Sequence, residues 1–533
     1  MNENPPIRAG GSSRLDGAVG ILAAALLALG AVVVVLAVLP SDLFDLDRFT
    51  VPKEFGLLLT ALVAGLLLLT RADRIELGIA ELGLAGFSLF SLASAVAATN
   101  RWISFRALGV TVGGVAIFFV ARMIAGRIGR AAVVVPLLVA VVAAGTTGLL
   151  QAYGWSSDLL ADTRAPGGSL GNRNFMAHLM VLGLPLAAWL LASARGRVAG
   201  IFSGVAIAVM IAATVLSRSR AAWVGAGTVV VVASVAALLT RGGPPRISRR
   251  RLIGLVAAGG LGGLAALVVP NQLEWRSSSP YRDSFRDVLN YREGSGRGRL
   301  IQYRNSLELV RQDPLLGTGP GNWLVKYPLV ATPNDPSFDR DDPIPTNPWP
   351  SSDWVAMLVE RGPLGAGLWL LTGLAFGLVA IRRARDPDHG TAAIAGLALL
   401  AGAAVEGLFD AVFLLAPPTL VVMAGIGALL PATRPVRHLA ISGRRFRSIG
   451  WFVLAAGGLA AKSGGQAATI LSAGNGWSPR EMEAALRFDP GNYRLHLLLA
   501  GRTGCPAALR HAEAAKRALP YHPAPSRLLR RCR

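Results

Sequence analysis

Two arginine residues with phosphate-binding chemistry stand at the start of an apolar stretch, within the segment Ser217–Trp223. The planar guanidinium group donates hydrogen bonds in a fixed fork that matches phosphate oxygens. Arg218 and Arg220 could therefore hold a diphosphate whose lipid tail lies in a bilayer. The alternative is that both side chains reach for the polar boundary of a membrane, with Trp223 as an interfacial aromatic residue.

A second polar segment, Gly171–Asn174, opens another apolar stretch and is followed by His178 one turn later. Asn172 and Asn174 could form the polar floor of a site for a sugar or a lipid headgroup. They could equally cap the start of a helix, a role that needs no ligand.

Arginine and glycine alternate farther along the chain, where Arg297, Arg299 and Arg304 precede a glycine-rich segment, Pro314–Trp323. Backbone N–H groups of such a segment could cradle an anionic group beside the arginines. The segment is not a P-loop, because no Gly-Lys-Ser or Gly-Lys-Thr follows it. The alternative is a structural turn that uses glycine at positive φ.

Asp353 stands at the head of a later apolar stretch, and Glu360 follows two turns on. A carboxylate at a helix N-terminus is stabilised by the helix dipole, so capping is one interpretation. The other is a general base that accepts the proton of an acceptor hydroxyl. Our hypothesis gives this catalytic role to Asp353, with His178 and Glu360 as the next candidates.

These residues are embedded in a very apolar chain. Of its 533 residues, 53% are hydrophobic and 16% charged, and the mean hydropathy is +0.49. Soluble domains carry about 25% charged residues, so this composition excludes an ordinary soluble enzyme and a disordered protein.

A membrane-spanning helix needs about 20 apolar residues. The sequence predicts an all-α polytopic membrane protein with about 12–13 transmembrane helices, at 17–39, 53–70, 77–98, 105–121, 131–151, 174–193, 198–216, 220–240, 252–270, 352–381, 391–411, 416–431 and 449–464.

The arginine distribution predicts the orientation. With the N-terminus in the cytoplasm, the short inner segments hold most of the arginine residues, as the positive-inside rule requires. This bias accounts for much of the net charge of +22, so no nucleic acid partner is expected. We expect a multi-pass protein of the inner (cytoplasmic) membrane with spans in 1–270 and 352–464, and with a large loop, 271–351, and a tail, 465–533, outside the cytoplasm.

The tail contains two helical stretches between Pro490 and Pro523, which are 33 residues apart. This period is similar to that of a tetratricopeptide repeat, and an ordinary helical hairpin is the alternative. So short a repeat cannot bury a core alone, so we expect it to dock on the large loop or on a protein partner. Cys505 and Cys532 lie in this tail, where a disulfide would persist, and we predict that they are joined.

No metal or other cofactor is expected. The six histidine residues are scattered and show no metal-ligand spacing.

Several ordered motifs resemble the O-antigen ligase superfamily, which includes O-antigen polymerases and related polysaccharide ligases. The resemblance covers roughly residues 40–430. It rests on Pro52-Lys53, Gly171-Asn172-Arg173-Asn174, Ser219-Arg220-Ala221-Ala222-Trp223, Arg299 with Tyr303, Pro314 with Gly317, Gly319 and Gly321, Asp353-Trp354, Glu360-Arg361-Gly362 and Gly407-Leu408-Phe409-Asp410.

The resemblance implies a lipid-dependent glycosyltransferase of cell-surface polysaccharide or lipopolysaccharide assembly. Such a protein passes a glycan from an isoprenoid diphosphate, such as undecaprenyl diphosphate, to a hydroxyl of a glycan or glycolipid acceptor. Arg220 would match the phosphate-binding arginine, and Arg299 the arginine that opens the loop motif. One feature departs from the family: Ser351-Ser352-Asp353 replaces the usual His-Asn-Asp, so the family histidine is missing.

Two other function classes stay open. A transporter or flippase of polyprenyl-linked glycan would need alternating access, usually built from internal repeats, and no clear repeat is present. An inactive scaffold that recruits a partner through the tail is the other, because the family histidine is missing.

Overall fold

The computed structural model describes most of the chain. The described residues are all except 1–11, 42, 161–164, 194–195, 241–247, 276, 287–293, 334, 339–347, 432–435, 442–444, 474–477 and 533. Its helices are α1 Ser12–Leu36, α2 Asp47–Leu69, α3 Ile79–Ala97, α4 Arg101–Ile128, α5 Ala131–Ala152, α6 Arg173–Ser193, α7 Arg197–Ser217, α8 Arg220–Leu239, α9 Arg249–Val268, α10 Pro280–Arg286, α11 Gly294–Gln312, α12 Trp323–Lys326, α13 Asp353–Arg383, α14 Gly390–Phe409, α15 Ala416–Leu429, α16 Arg445–Phe452, α17 Gly458–Ala473, α18 Pro479–Ala485, α19 Tyr493–Arg502, α20 Cys505–Ala518 and α21 Pro523–Arg531.

The predicted fold class is confirmed. Among the described residues, eleven helices are long and apolar enough to cross a membrane: α1–α9, α13 and α14. The predicted span at 416–431 corresponds to α15, which has only 14 residues and is buried throughout. The last predicted span, 449–464, lies in a rod that is helical from Arg445 to Ala473 and contains one π-helical turn, Val453–Gly457.

α6 and α15 form the centre of the bundle. The hydrophobic core includes Leu179, Leu186 and Leu420, all fully buried. α15 lies against α4, where a side chain at Gly427 would clash with the backbone oxygen of Phe118. Small residues allow such close approach of membrane helices. Because α6 is central, a polar side chain on it faces protein rather than lipid.

Two short strands mark one end of the bundle. β1, Arg74–Leu77, pairs antiparallel with β2, Arg437–Ala440. The rod that starts at Arg445 begins here, since Arg445 Nη2 lies 3.1 Å from Asp73 Oδ1. It then runs antiparallel to α2 and ends beside the start of that helix. The rod therefore carries the tail to the opposite end of the bundle, which we call the loop side.

The large loop and the tail meet on the loop side. Trp323, Tyr327 and Leu309 of the loop form one buried cluster with Leu497 and Leu519 of the tail. The expected docking of the tail on the loop is thus confirmed. The structure also contains the predicted disulfide, Cys505–Cys532, which joins the start of α20 to the residue after α21. The likeness of the tail to a tetratricopeptide repeat stays a prediction.

Candidate active site

A buried histidine and two carboxylates form the centre of the candidate site. His178 lies on α6, Glu406 in the last turn of α14, and Asp410 directly after that helix. His178 Nδ1 is 3.0 Å from Glu406 Oε1, and its Nε2 is 3.5 Å from Asp410 Oδ2. His178 and Glu406 are fully buried, while Asp410 retains a little exposure. The cluster can therefore hold or pass a proton at the edge of the bundle.

Close helix packing positions Glu406. α8 passes α14 at Gly225, where an added Cβ would lie 2.7 Å from Glu406 Cγ. Oε2 of Glu406 has no hydrogen-bond partner within the described part of the chain. A buried polar atom without a partner is uncommon in proteins, and it often marks a functional position.

Asp353 faces the same turn but is fully engaged by backbone. Its two carboxylate oxygens accept hydrogen bonds from the N–H of Val412, at 3.0 and 3.1 Å, and from the N–H of Phe413, at 3.0 Å. Asp353 is only 2% exposed. This geometry gives it the role of fixing the turn that carries Asp410. Its catalytic role stays a hypothesis, now with a competing structural explanation.

Arg299 reaches the cluster from the large loop. Its Nη2 lies 3.6 Å from Asp410 Oδ2. Two neighbouring side chains of α11 fix the position of Arg299. Tyr303 Oη donates to the carbonyl oxygen of Ser351 at 2.5 Å, and Gln302 Oε1 accepts the Ser351 N–H at 2.8 Å. The loop thus places one guanidinium group at the mouth of the buried cluster.

The pKa of Asp410 is lower than the ordinary value of a carboxyl group. Burial alone would raise it, but hydrogen bonding and charge from His178 and the nearby Arg299 guanidinium outweigh the burial. Asp410 is therefore held in its charged form.

A second arginine group surrounds Trp275 of the loop. Cζ of Arg218 is 4.6 Å from the ring centroid and Cζ of Arg173 is 4.9 Å from it, both within cation–π range. Arg218 Nε also donates to Ser284 Oγ at 2.8 Å. Arg220 is the first residue of α8, two residues away. The loop side therefore carries several guanidinium groups close to the start of α6 and α8.

The two asparagines take different positions. The side chain of Asn172 accepts the N–H of Asn174 at 2.9 Å, so Asn172 caps the start of α6. Asn174 lies in the first turn of that helix and is half-buried. Their predicted role in binding a substrate stays a hypothesis.

Arg297 and Arg304 are not brought to the cluster. Both are exposed, and a separation of seven residues puts them on one stripe of α11. Arg299 lies on the other side of that helix, because two residues correspond to about 200° of rotation. Among the three loop arginines, only Arg299 contacts the carboxylates.

The glycine-rich segment packs against α13 through backbone hydrogen bonds. The N–H groups of Thr318 and Gly319 donate to the carbonyl oxygens of Val359 and Glu360, both at 2.9 Å. These carbonyls precede a kink in α13 at Gly362, where φ is +66°. Gly317, at φ +68°, packs against the same kink, and a side chain there would overlap backbone. The structural alternative accounts for these glycines, and the N–H groups of Gly321 and Trp323 face the Glu360 carboxylate of the same helix.

Four important residues are absent from the sequence-based site: Glu406, Asp410, Trp275 and Arg173. Asp410 was part of a motif that supported the resemblance, but no role was given to it. Glu406 could have been found, because an acidic residue inside an apolar span is costly and usually functional. Trp275 carries no such signal. Within the described residues, no group of three His, Cys, Asp or Glu side chains could hold a metal ion.

The fold and the site define a polytopic all-α membrane protein with a charged cluster at the loop side. Residues 205–370 match the sequence model of the O-antigen ligase family, which confirms the resemblance to that superfamily over this part of the chain. The matched segment contains Arg220, Arg299 and Asp353, whereas His178 and Asp410 lie outside it. A search of curated proteins finds no match.

Proposed function

We propose that this protein transfers a glycan from an isoprenoid diphosphate to a hydroxyl group of an acceptor glycan or glycolipid. The O-antigen ligase match supports a membrane protein that processes glycans. The observation that carries the finer proposal is the contact of Arg299 with Asp410, at 3.6 Å, with His178 3.5 Å behind it. Cationic and acidic groups meet there at the membrane boundary, as the leaving diphosphate and the acceptor hydroxyl require.

In the proposed reaction, an acceptor oxygen attacks the anomeric carbon of the donor. The bond from that carbon to the diphosphate oxygen breaks, and its electron pair leaves with the diphosphate. Arg299 and Arg220 bind the diphosphate, and Arg218 assists them. The proton of the acceptor hydroxyl goes to Asp410, which is held in its charged form for this purpose. Glu406 orients His178, and His178 in turn orients Asp410 through its contact with the carboxylate.

The sequence-based candidate for the base, Asp353, receives a positioning role in this mechanism. Two backbone N–H groups, those of Val412 and Phe413, already donate to its carboxylate. Its function is to keep the turn Asp410–Phe413 in place. Arg297 and Arg304, which are exposed on the far side of α11, stay candidates for binding sugars of a long donor chain.

The proposal is tested by reconstituting the full chain in liposomes with a short glycan on an isoprenoid diphosphate. A ladder of products indicates a polymerase, and a single adduct indicates a ligase. Movement of the donor between leaflets without bond formation would indicate a flippase and contradict the proposal. The absence of both reaction and movement would favour an inactive scaffold.

Arginine variants give a matched comparison in the same assay. Arg299→Ala removes a guanidinium group next to Asp410, whereas Arg297→Ala removes an exposed one two residues away. We expect Arg299→Ala to raise the KM for the donor strongly and Arg297→Ala to change it little. Equal effects of the two variants would contradict the placement of the diphosphate.

We further propose that the protein lies in the cytoplasmic membrane with the loop side outside the cytoplasm. A reporter that is active only in the cytoplasm should be silent when fused after Arg533. The same reporter inserted after Arg385, between α13 and α14, should be active. The reverse pattern of reporter activity would show that the loop side faces the cytoplasm. An acceptor outside the cytoplasm could then not reach the site.

A further inference from the structure

A cavity lies on the loop side, between the membrane helices and the tail. Helices α2, α4, α13, α17 and α19 contribute to its wall. Its volume, counted as the space open to the centres of water molecules, is about 110 Å³. One water molecule needs about 10–15 Å³ on this measure. The cavity is thus large enough for about one sugar unit of a glycan.

The cavity wall carries charges of both signs beside apolar side chains. Arg106 donates from Nε to Glu54 at 2.8 Å and from Nη1 to Asp47 at 2.9 Å. Arg494 of the tail lies 3.5 Å from Asp47. Glu360, Arg361 and Asp489 also line the cavity, so four carboxylates face three guanidinium groups and the wall has no large excess of charge. This favours a neutral polar ligand over a free diphosphate.

Aromatic rings complete the wall. Trp102, Trp349 and Tyr493 line the cavity together with the charged groups. The indole N–H of Trp102 donates to Asp489, which fixes the ring from the tail side. Aromatic faces that cover apolar C–H groups, beside carboxylates and guanidinium groups that bond hydroxyls, are the combination that a sugar requires.

One buried polar atom at this cavity has no partner within the described part of the chain. Oε1 of Gln466 makes no hydrogen bond, and Gln466 is more than nine-tenths buried and lines the cavity. Nε of Arg494 makes no hydrogen bond either, but it lies 3.5 Å from Asp47 Oδ2 in an ion pair. The amide oxygen of Gln466 can accept a hydrogen bond from a hydroxyl group.

The cavity adjoins the candidate active site. Phe413 lines the cavity, and its N–H donates to Asp353 beside the turn that carries Asp410. Trp349, another wall residue, has its ring centroid 6.1 Å from that of Phe175, one turn before His178 on α6. A ligand in the cavity would therefore lie next to the turn that carries Asp410.

We infer that this cavity binds the acceptor glycan and that the tail is an integral part of the site. The inference rests on the proposed function, because it names the substrate that the cavity delivers. It gives the tail a role in binding saccharide through Gln466, Arg494 and Asp489, rather than only in recruiting a protein.

The test measures binding separately from transfer. The probe is a size-fractionated mixture of oligosaccharides, released by mild acid from the surface polysaccharide of cells that produce this protein. The full chain is held in nanodiscs, and binding is followed by tryptophan fluorescence, since Trp102 and Trp349 line the cavity. We expect saturable binding.

Two variants locate the binding. Gln466→Leu keeps the size of the side chain but removes its hydrogen-bonding groups, and should weaken binding about three- to tenfold, the worth of one hydrogen bond. Trp102→Phe keeps an aromatic ring and should also weaken binding. Gln312→Leu, at the exposed end of α11, is the control and should change nothing. The melting temperature of each variant checks folding.

The outcomes separate this inference from the proposed reaction. If the mixture does not bind, or if Gln466→Leu and Trp102→Phe bind as well as the parent chain, the cavity holds only water and the inference is wrong. If binding behaves as expected while reconstituted transfer fails, the reaction is wrong and the glycan site stands.

Discussion

Two charged regions on the loop side differ in how their charges are matched. Around Asp47, Glu54, Arg106 and Arg494, each carboxylate has a guanidinium partner within 3.5 Å. In the cluster of His178, Glu406 and Asp410, two carboxylates share one imidazole, and Arg299 approaches only Asp410. The first arrangement is suited to holding the tail. The second leaves a carboxylate that can accept a proton from a substrate.

The charged side chains of these two regions therefore have two different roles. Matched pairs on α2, α4 and the tail connect separate parts of the chain, and removing one partner of such a pair should destabilise the protein. The cluster of His178, Glu406 and Asp410 should contribute above all to the reaction. Variants in the two regions should therefore give different patterns of activity and stability.

The largest expected effect is on turnover by Asp410→Asn. The amide cannot accept the hydroxyl proton, so the rate of transfer should fall by about 10²–10⁴-fold. The melting temperature should fall modestly, because the lowered pKa of Asp410 means that its charge stabilises the fold. The reconstituted transfer assay measures the rate, and Asp386→Asn, at an exposed pair with Arg383, is the matched control.

Asp353→Asn decides between the two candidate bases. We expect a moderate loss of stability, because the turn at Asp410 loses hydrogen bonds to a charged acceptor, about 1–3 kcal/mol. A severe loss of rate at unchanged stability, with Asp410→Asn still active, would instead make Asp353 the base.

The matched region should respond in the opposite way. Arg106→Met removes the shared partner of the buried Glu54 and of Asp47, which is partly exposed and keeps Arg494. Breaking a fully buried pair typically costs about 3–5 kcal/mol, so that range is the upper limit here. Arg311→Met, which breaks the exposed pair with Glu308, should cost at most about 1 kcal/mol. Thermal unfolding measures both. A small effect of Arg106→Met would show that the matched charges do not hold the tail.

The disulfide gives the tail a further constraint. Reduction of Cys505–Cys532 should destabilise the tail by about 3–4 kcal/mol, the value for a loop of this length. Limited proteolysis of the tail before and after reduction detects the change. The transfer rate should fall only as far as the tail detaches. Labelling of both cysteines in the unreduced protein would contradict the pairing.

The smallest expected effect is that of moderately acidic pH. Because the pKa of Asp410 is lowered, its charge persists as the pH falls through the usual carboxyl value of about 3.9. The contribution of this charge to the rate of transfer is lost only when the pH falls through the lowered pKa. The rate of transfer should not decline from neutral pH to about pH 5 on account of Asp410. A decline that Asp410→Asn abolishes would show that its pKa is raised instead.

The sequence by itself predicted the helical membrane fold, because about 20 apolar residues in a row have no other stable structure in a bilayer. It also predicted the pairing of Cys505 and Cys532 and the docking of the tail. The predicted span at 416–431 is shorter in the structure, where α15 is buried throughout, but α15 still connects Asp410 on the loop side to β2 at the opposite end.

Tertiary structure alone decided which polar residues meet. His178 and Glu406 are separated by 228 positions in the chain and come together because α6 packs against α14. Position at a helix start suggested that Asp353 was free to act, yet the turn after α14 supplies two N–H groups that donate to it. Glycine spacing could not reveal that the acceptors for Thr318 and Gly319 would come from a kinked helix. Long-range packing sets these contacts, and local sequence patterns do not predict that packing.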